Sequence, residues 1–139
     1  MTIYYLPQSK LFLKGNSMKY SIGQFSELSG FSIDTLRYYE KQKLLFPKRD
    51  ENNRRVYSEK DVAWISFISR LKKTGMSIRE MQKYAQLRYA GDQTIPERLV
   101  LLFNQLDNLH EEEKKIEDNI KFVEQKIKTY LKTIGDLKE

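Results

Sequence analysis

From Leu99 to Leu137 apolar residues recur at alternating steps of three and four. In heptad terms the a positions are Leu99, Leu106, Glu113, Ile120, Ile127 and Ile134. The d positions are Leu102, Leu109, Ile116, Val123, Tyr130 and Leu137, so eleven of the twelve seam positions are apolar. A helix packed on its own domain normally carries a wider apolar stripe over a shorter run. A seam of two residues in seven, sustained beyond three or four heptads, specifies a coiled coil. The reading is a dimerisation helix held by Leu99, Leu102, Leu106, Leu109, Ile116, Ile120, Val123, Ile127 and Tyr130. Glu113, in "HEEEKK", is the exception, and a polar seam residue can set register at a cost in stability. The ladder does not say whether the two strands run parallel or antiparallel.

Upstream of the seam, the chain is punctuated by helix starts. A capping box places Ser or Thr at the N-cap and a side-chain acceptor three residues later, satisfying amides that the first turn leaves unpaired. Ser21 with Gln24, Ser58 with Asp61, Ser77 with Glu80 and Thr94 with Glu97 fit the pattern. Apolar staples accompany the starts: Tyr20 with Phe25, Phe31 with Leu36, Tyr57 with Val62, and Met76 with Met81. Gly30, Gly75 and Gly91 suit the left-handed position that ends a helix. The spacing predicts helices over 22–29, 33–42, 59–74 and 78–90, and a long helix from about 95. Between the second and third helices, "LLFPKRDENNRRVYS" places Pro47 and the Asp50–Asn53 cluster between two short extended pieces. This is a small hairpin, a wing.

Two short helices separated by "SGFS" have the proportions of a helix-turn-helix, whose second helix enters the major groove N-terminal end first. In that second helix Ile33, Leu36 and Glu40 share one face, and Thr35, Arg37, Tyr38 and Lys41 point elsewhere. Tyr39 lies at the border, where core packing and DNA contact are both open to it. Arg37 can fork onto guanine or phosphate, and tyrosine hydroxyls suit phosphate oxygens. Lys48, Arg49, Arg54 and Arg55 flank the hairpin tip, and Tyr57 follows. Arg70, Lys72 and Lys73 close the third helix, where cations also favour the helix dipole.

Charge supports the same division. Residues 18–92 carry 15 Lys/Arg against 9 Asp/Glu, and residues 93–139 carry 8 against 10. A basic half joined to a mildly acidic one fits a polyanion-binding head on a different kind of tail. With no cysteine and one histidine, His110, disulfides, thiolate metal sites and histidine-built zinc sites are excluded or strongly disfavoured. No constellation for nucleophilic catalysis is present, so an enzyme is not expected, nor is a cofactor or a membrane span. Residues 1–17 read as a disordered leader, 18–92 as the DNA-binding domain, and 93–139 as linker and dimerisation helix.

The stretches "YSIGQFSELSGFSIDTLRYYEKQKLL" and "RRVYSEKDVAWISFISRLKKTGMSIREM" closely resemble the MerR family of bacterial transcription regulators, from about Tyr20 through Arg88. The resemblance implies a mainly helical fold, a winged helix-turn-helix head followed by an antiparallel coiled-coil dimer. It implies that double-stranded DNA is bound at an inverted repeat in a promoter, in the cytoplasm on the bacterial nucleoid. Activation would come from underwinding and bending an overlong spacer so that RNA polymerase engages. The DNA-contacting positions it implies are Thr35, Arg37, Tyr38 and Tyr39 in the recognition helix, Arg54, Arg55 and Tyr57 in the first wing, and Lys72 and Lys73 in the second.

The linker "QLRYAGDQTIPERLVLLF" resembles the branch that includes sensors of aldehydes and electrophiles, whose members commonly use a cysteine. This chain has none, so a thiol mechanism is excluded, and no separate ligand domain is expected. A small-molecule inducer, if one exists, would sit between head and coil near Tyr84, Tyr89 and Phe103; the alternative is that these aromatics simply pack. Two further function classes stay open at this point. One is a nonspecific architectural DNA-binding protein, and the other an interaction protein whose coil matters and whose basic head is incidental.

Overall fold

The computed structural model describes residues 18–138; the expected leader lies outside them. The described chain runs α1 (Ile22–Ser29), α2 (Ile33–Lys41), β1 (Lys48–Arg49), β2 (Arg55–Val56), α3 (Glu59–Lys73), α4 (Ile78–Ala90), a 3-10 turn (Asp92–Thr94) and α5 (Ile95–Leu137). It divides into two compact units that meet between Arg98 and Leu99. The mainly helical fold with a two-stranded wing is as the sequence predicts, with α2 and α3 each ending one residue earlier than expected.

The helix starts are built by their caps. At α1 the Ser21 hydroxyl accepts from the Gln24 amide at 3.2 Å, and the Gln24 side chain accepts from the Ser21 amide at 2.9 Å. At α2 the Ser32 hydroxyl accepts from the Thr35 amide at 3.1 Å, and at α4 Ser77 accepts from Glu80 at 3.2 Å. At α3 the Ser58 amide donates to the Asp61 carboxylate at 2.9 Å and the Ser58 hydroxyl donates to the same oxygen at 3.3 Å. Thr94 departs from the capping-box expectation. Its hydroxyl lies 2.6 Å from the Leu87 carbonyl and 2.7 Å from the Gly91 carbonyl, and Arg98 Nε donates to it at 3.1 Å. These bonds tie the start of α5 back to α4, within a first unit that runs to Arg98.

Gly30 and Gly75 adopt left-handed φ values of 79° and 87°. Gly91 does something different, with φ 119° and ψ 176°, a region essentially confined to glycine. A Cβ there would meet Gln93 Oε1 at 2.5 Å.

The core of the first unit is laid down by the staple residues. Tyr20, Phe25, Leu36, Tyr57, Val62, Met76 and Met81 are all buried, joined by Ile65 and Ile68 of α3. Phe25 and Tyr57 stack with ring centroids 4.4 Å apart and planes 7° from parallel. Tyr20 and Tyr57 also exchange backbone hydrogen bonds, at 2.8 and 2.9 Å, so the segment before α1 pairs with the end of the wing.

The segment after α2 is pinned from two helices. Trp64 Nε1 donates to the Leu44 carbonyl at 2.7 Å, and Gln82 Nε2 donates to the Gln42 carbonyl at 2.9 Å. Those bonds hold the C-terminal end of α2 against α3 and α4, so the recognition helix is presented by a fixed frame.

In the second unit, α5 continues unbroken to Leu137. Of the expected seam residues, Leu102 and Leu109 are half-buried and the remainder are exposed in the single chain, Ile120 by 50%.

Candidate nucleic-acid interface

The recognition helix presents Arg37 and Tyr38 to solvent, Tyr38 with 43% of its surface exposed. Lys72, from the last turn of α3, places its ammonium 5.2 Å from the Tyr38 ring centroid and 5.9 Å from that of Tyr39. A cation over a ring face is attracted by the ring quadrupole. Residues 34 positions apart in sequence, Tyr38 and Lys72, are thus brought to one surface. Lys73 is exposed at the same helix end. Thr35 is half-buried, and its hydroxyl accepts from Ser32 at 2.8 Å, so part of its polar capacity serves the helix start.

The wing turns through Asp50–Asn53. The Asp50 carboxylate accepts from the amides of Asn52 and Arg54, both at 2.9 Å, and Asn53 takes a left-handed φ of 60°. An Asx turn followed by a left-handed residue closes a short hairpin without glycine. Arg54 is exposed near the tip, and Arg49 stands directly opposite Arg55 across the ladder. Two like charges in that register repel. Glu40 of α2 offsets this: Arg49 Nη2 donates to its Oε1 at 3.1 Å and Arg55 Nε to its Oε2 at 2.5 Å. The recognition helix and the wing are joined through this one carboxylate.

Two of the residues expected at the surface lie in the core. Tyr57 has no exposed surface: the strand that carries it pairs with Tyr20, and its ring is stacked flat on Phe25. A phosphate cannot reach it, which corrects its assignment as a wing contact. Burial, with the nearby Glu40 charge, pushes its phenol up to about 12, against the opposing influence of Arg55 and Arg49. Tyr39 is only 5% exposed, which places it on the core side of the border. The helical period decides this, because Tyr39 follows buried Leu36 by three residues.

The aromatics proposed for an inducer are largely committed to packing within the head. Tyr84 is buried and lies parallel to Trp64, 6.0 Å between centroids. Tyr89 accepts from the Phe46 amide at 3.2 Å and meets both Phe46 and Trp64 edge-on. Its phenol is raised above its ordinary value, chiefly by burial. Phe103 belongs to the second unit and is exposed. Among the described residues no cluster of three or more metal-ligating side chains occurs, and no helix is long and apolar enough to cross a membrane.

The sequence reading missed Glu40 and undervalued Arg49. The signal was partial: a carboxylate on the same helical face as Ile33 and Leu36 needs a cationic partner, and the sequence offers Arg37, Lys41 and Lys43 nearer than the wing arginines.

A helix-turn-helix with an exposed Arg–Tyr pair, a basic wing and a lysine closing over the recognition helix defines a winged DNA-binding head. Comparison with known proteins agrees. Residues 20–87 match the model of the MerR HTH family regulatory proteins. An uncharacterised HTH-type transcriptional regulator of Haemophilus influenzae is 36% identical over 125 residues, covering 87% of this chain and 92% of that one. The regulator AdhR of Bacillus subtilis is 37% identical over 92 residues, 66% of each chain. Among solved structures, HiNmlR, a MerR family regulator lacking the sensor domain and bound to promoter DNA, superposes with a TM-score of 0.63. It is 36% identical, with 83% of this chain and 92% of that chain covered. A MerR family regulator from Listeria monocytogenes gives 0.66 at 31% identity, with 80% and 85% covered. The chain belongs to the MerR family of DNA-binding transcription regulators, and that family is not one of enzymes.

Proposed function

We propose that the protein is a homodimeric, sequence-specific regulator that binds an inverted repeat in a bacterial promoter and activates transcription by distorting the spacer for RNA polymerase. Its site of action is the chromosome, in the cytoplasm. The observation that carries the DNA reading is Lys72 brought over Tyr38 of the recognition helix, on which Arg37 is also exposed. Arg37 and Tyr38 supply the contacts of the recognition helix, with Thr35 at its N-terminal end. Arg54 and Arg55 serve from the first wing, and Lys72 and Lys73 from the end of α3. Dimerisation through Leu99, Leu102, Leu106, Leu109, Ile116, Ile120, Val123, Ile127 and Tyr130 is supported by the long apolar seam exposed on α5. Two heads related by a two-fold axis match a palindromic site, since half-site spacing follows protein symmetry.

The test is a gel-shift titration of the intergenic DNA beside the protein's own gene against random duplex of equal length, at physiological salt. Preferential binding by a dimer, weakened tenfold or more in Arg37→Ala, is the expected result. Equal binding to both duplexes would move the protein to the architectural class. Activation is tested by transcription in vitro from that promoter with its spacer shortened, on which the protein should repress.

A further inference from the structure

We propose that Glu40 is a specificity-determining residue that acts by holding the two wing arginines, Arg49 and Arg55, in an internal ion cluster. The inference rests on the DNA-binding reading above and adds to it a residue that touches no DNA itself. Glu40 is the last acidic residue of α2, with 22% of its side chain exposed, so its carboxylate sits in partial shelter where it takes a guanidinium on each oxygen. The cluster's net charge is +1, where free arginines would present +2.

Two consequences follow from the donors used. Arg55 gives Glu40 only its Nε, leaving both Nη groups available for a phosphate. Arg49 gives one Nη to Glu40, and its other Nη is 3.5 Å from the Asn53 carbonyl. Glu40 therefore fixes how the guanidinium forks face outward and ties that orientation to the recognition helix, which favours the register in which helix and wing contact DNA together. It also acts as a resident anion that lowers the attraction of the wing for any polyanion. Binding that relies on charge alone loses most from this, because nothing else supports it. Binding in register regains the loss through oriented contacts.

The experiment is Glu40→Gln, which keeps the size and hydrogen-bonding reach of the side chain and removes its charge. Releasing one more counterion steepens the log–log salt dependence by about 0.9, which at 0.15 M salt corresponds to roughly fivefold tighter binding to random duplex. The variant is expected to show that gain without a matching gain on the intergenic DNA, so that the ratio between the two falls. Equal gains on both duplexes, no gain, or weakening on both would each overturn the proposal. Thermal unfolding of the variant checks that the head is intact. The same substitution in an Arg49→Ala/Arg55→Ala background should give a clearly smaller gain on random duplex, and a gain of undiminished size there would place the effect elsewhere and overturn the proposal. A wild-type chain that binds neither duplex would refute the DNA reading itself, whereas wild-type preference with an indifferent Glu40→Gln refutes only the role of Glu40.

Discussion

Tyr57→Phe removes one oxygen from the centre of the head, and the structure makes an unusual forecast for it. The Tyr57 hydroxyl is buried and has no hydrogen-bond partner among the described residues. A buried polar group without a partner costs about 1–3 kcal/mol. Phenylalanine keeps the ring stacked on Phe25 and the backbone pairing with Tyr20, and opens only a small void. The net expectation is a gain of about 1 kcal/mol. With a urea m-value of about 2 kcal/mol/M, that raises the midpoint by roughly 0.5 M at unchanged m. Chain concentration must be held fixed, because a dimer's apparent stability depends on it.

The alkaline limb supplies a second reading of the same residue. The phenol titrates near 10 when unfolded and is pushed up to about 12 when folded, first by burial and then by Glu40. A raised folded pKa means that its contribution is complete below pH 10 and is lost as pH rises through 12. Two units correspond to roughly 3 kcal/mol. About 2 kcal/mol of that falls between pH 10 and 12, so wild type should lose about that much more stability than Tyr57→Phe over this range, read as the difference between their urea curves. DNA affinity of the variant should stay within about twofold of wild type. A variant that is less stable, with an alkaline curve parallel to wild type, would show that the hydroxyl has a partner. A tenfold loss of DNA affinity at unchanged stability would return Tyr57 to the interface.

Three other outcomes are expected. Trp64→Phe strands the buried Leu44 carbonyl and thins the stack with Tyr84, so urea denaturation followed by circular dichroism should show a loss of about 2–3 kcal/mol. Gly91→Ala forces a side chain into a glycine-only conformation and onto Gln93, and thermal unfolding should register about 1–3 kcal/mol of destabilisation. Ile120→Glu places a charge in the seam of α5; light scattering should show weakened dimerisation, with operator affinity falling alongside, and a fully dimeric variant would show the seam to be misassigned.

Local physics determined much of this protein from the sequence by itself. Caps at Ser21, Ser58 and Ser77, stops at Gly30 and Gly75, and staples such as Phe31 with Leu36 act over a few residues, so they are legible without a fold. The seam from Leu99 onward is likewise periodic, and periodicity survives in one dimension. What only the tertiary structure decided are matters of side-chain fate across long separations. The family resemblance implied Tyr57 as a wing contact, yet pairing with Tyr20 turned it into the core. Thr94 looked like a cap until Leu87 and Gly91 took its hydroxyl. Lys72 came to the recognition helix, and Glu40 to Arg49 and Arg55, only because α3 and the wing fold back onto α2. A sequence records which charges and rings a chain carries; which of them meet depends on packing that no local pattern encodes.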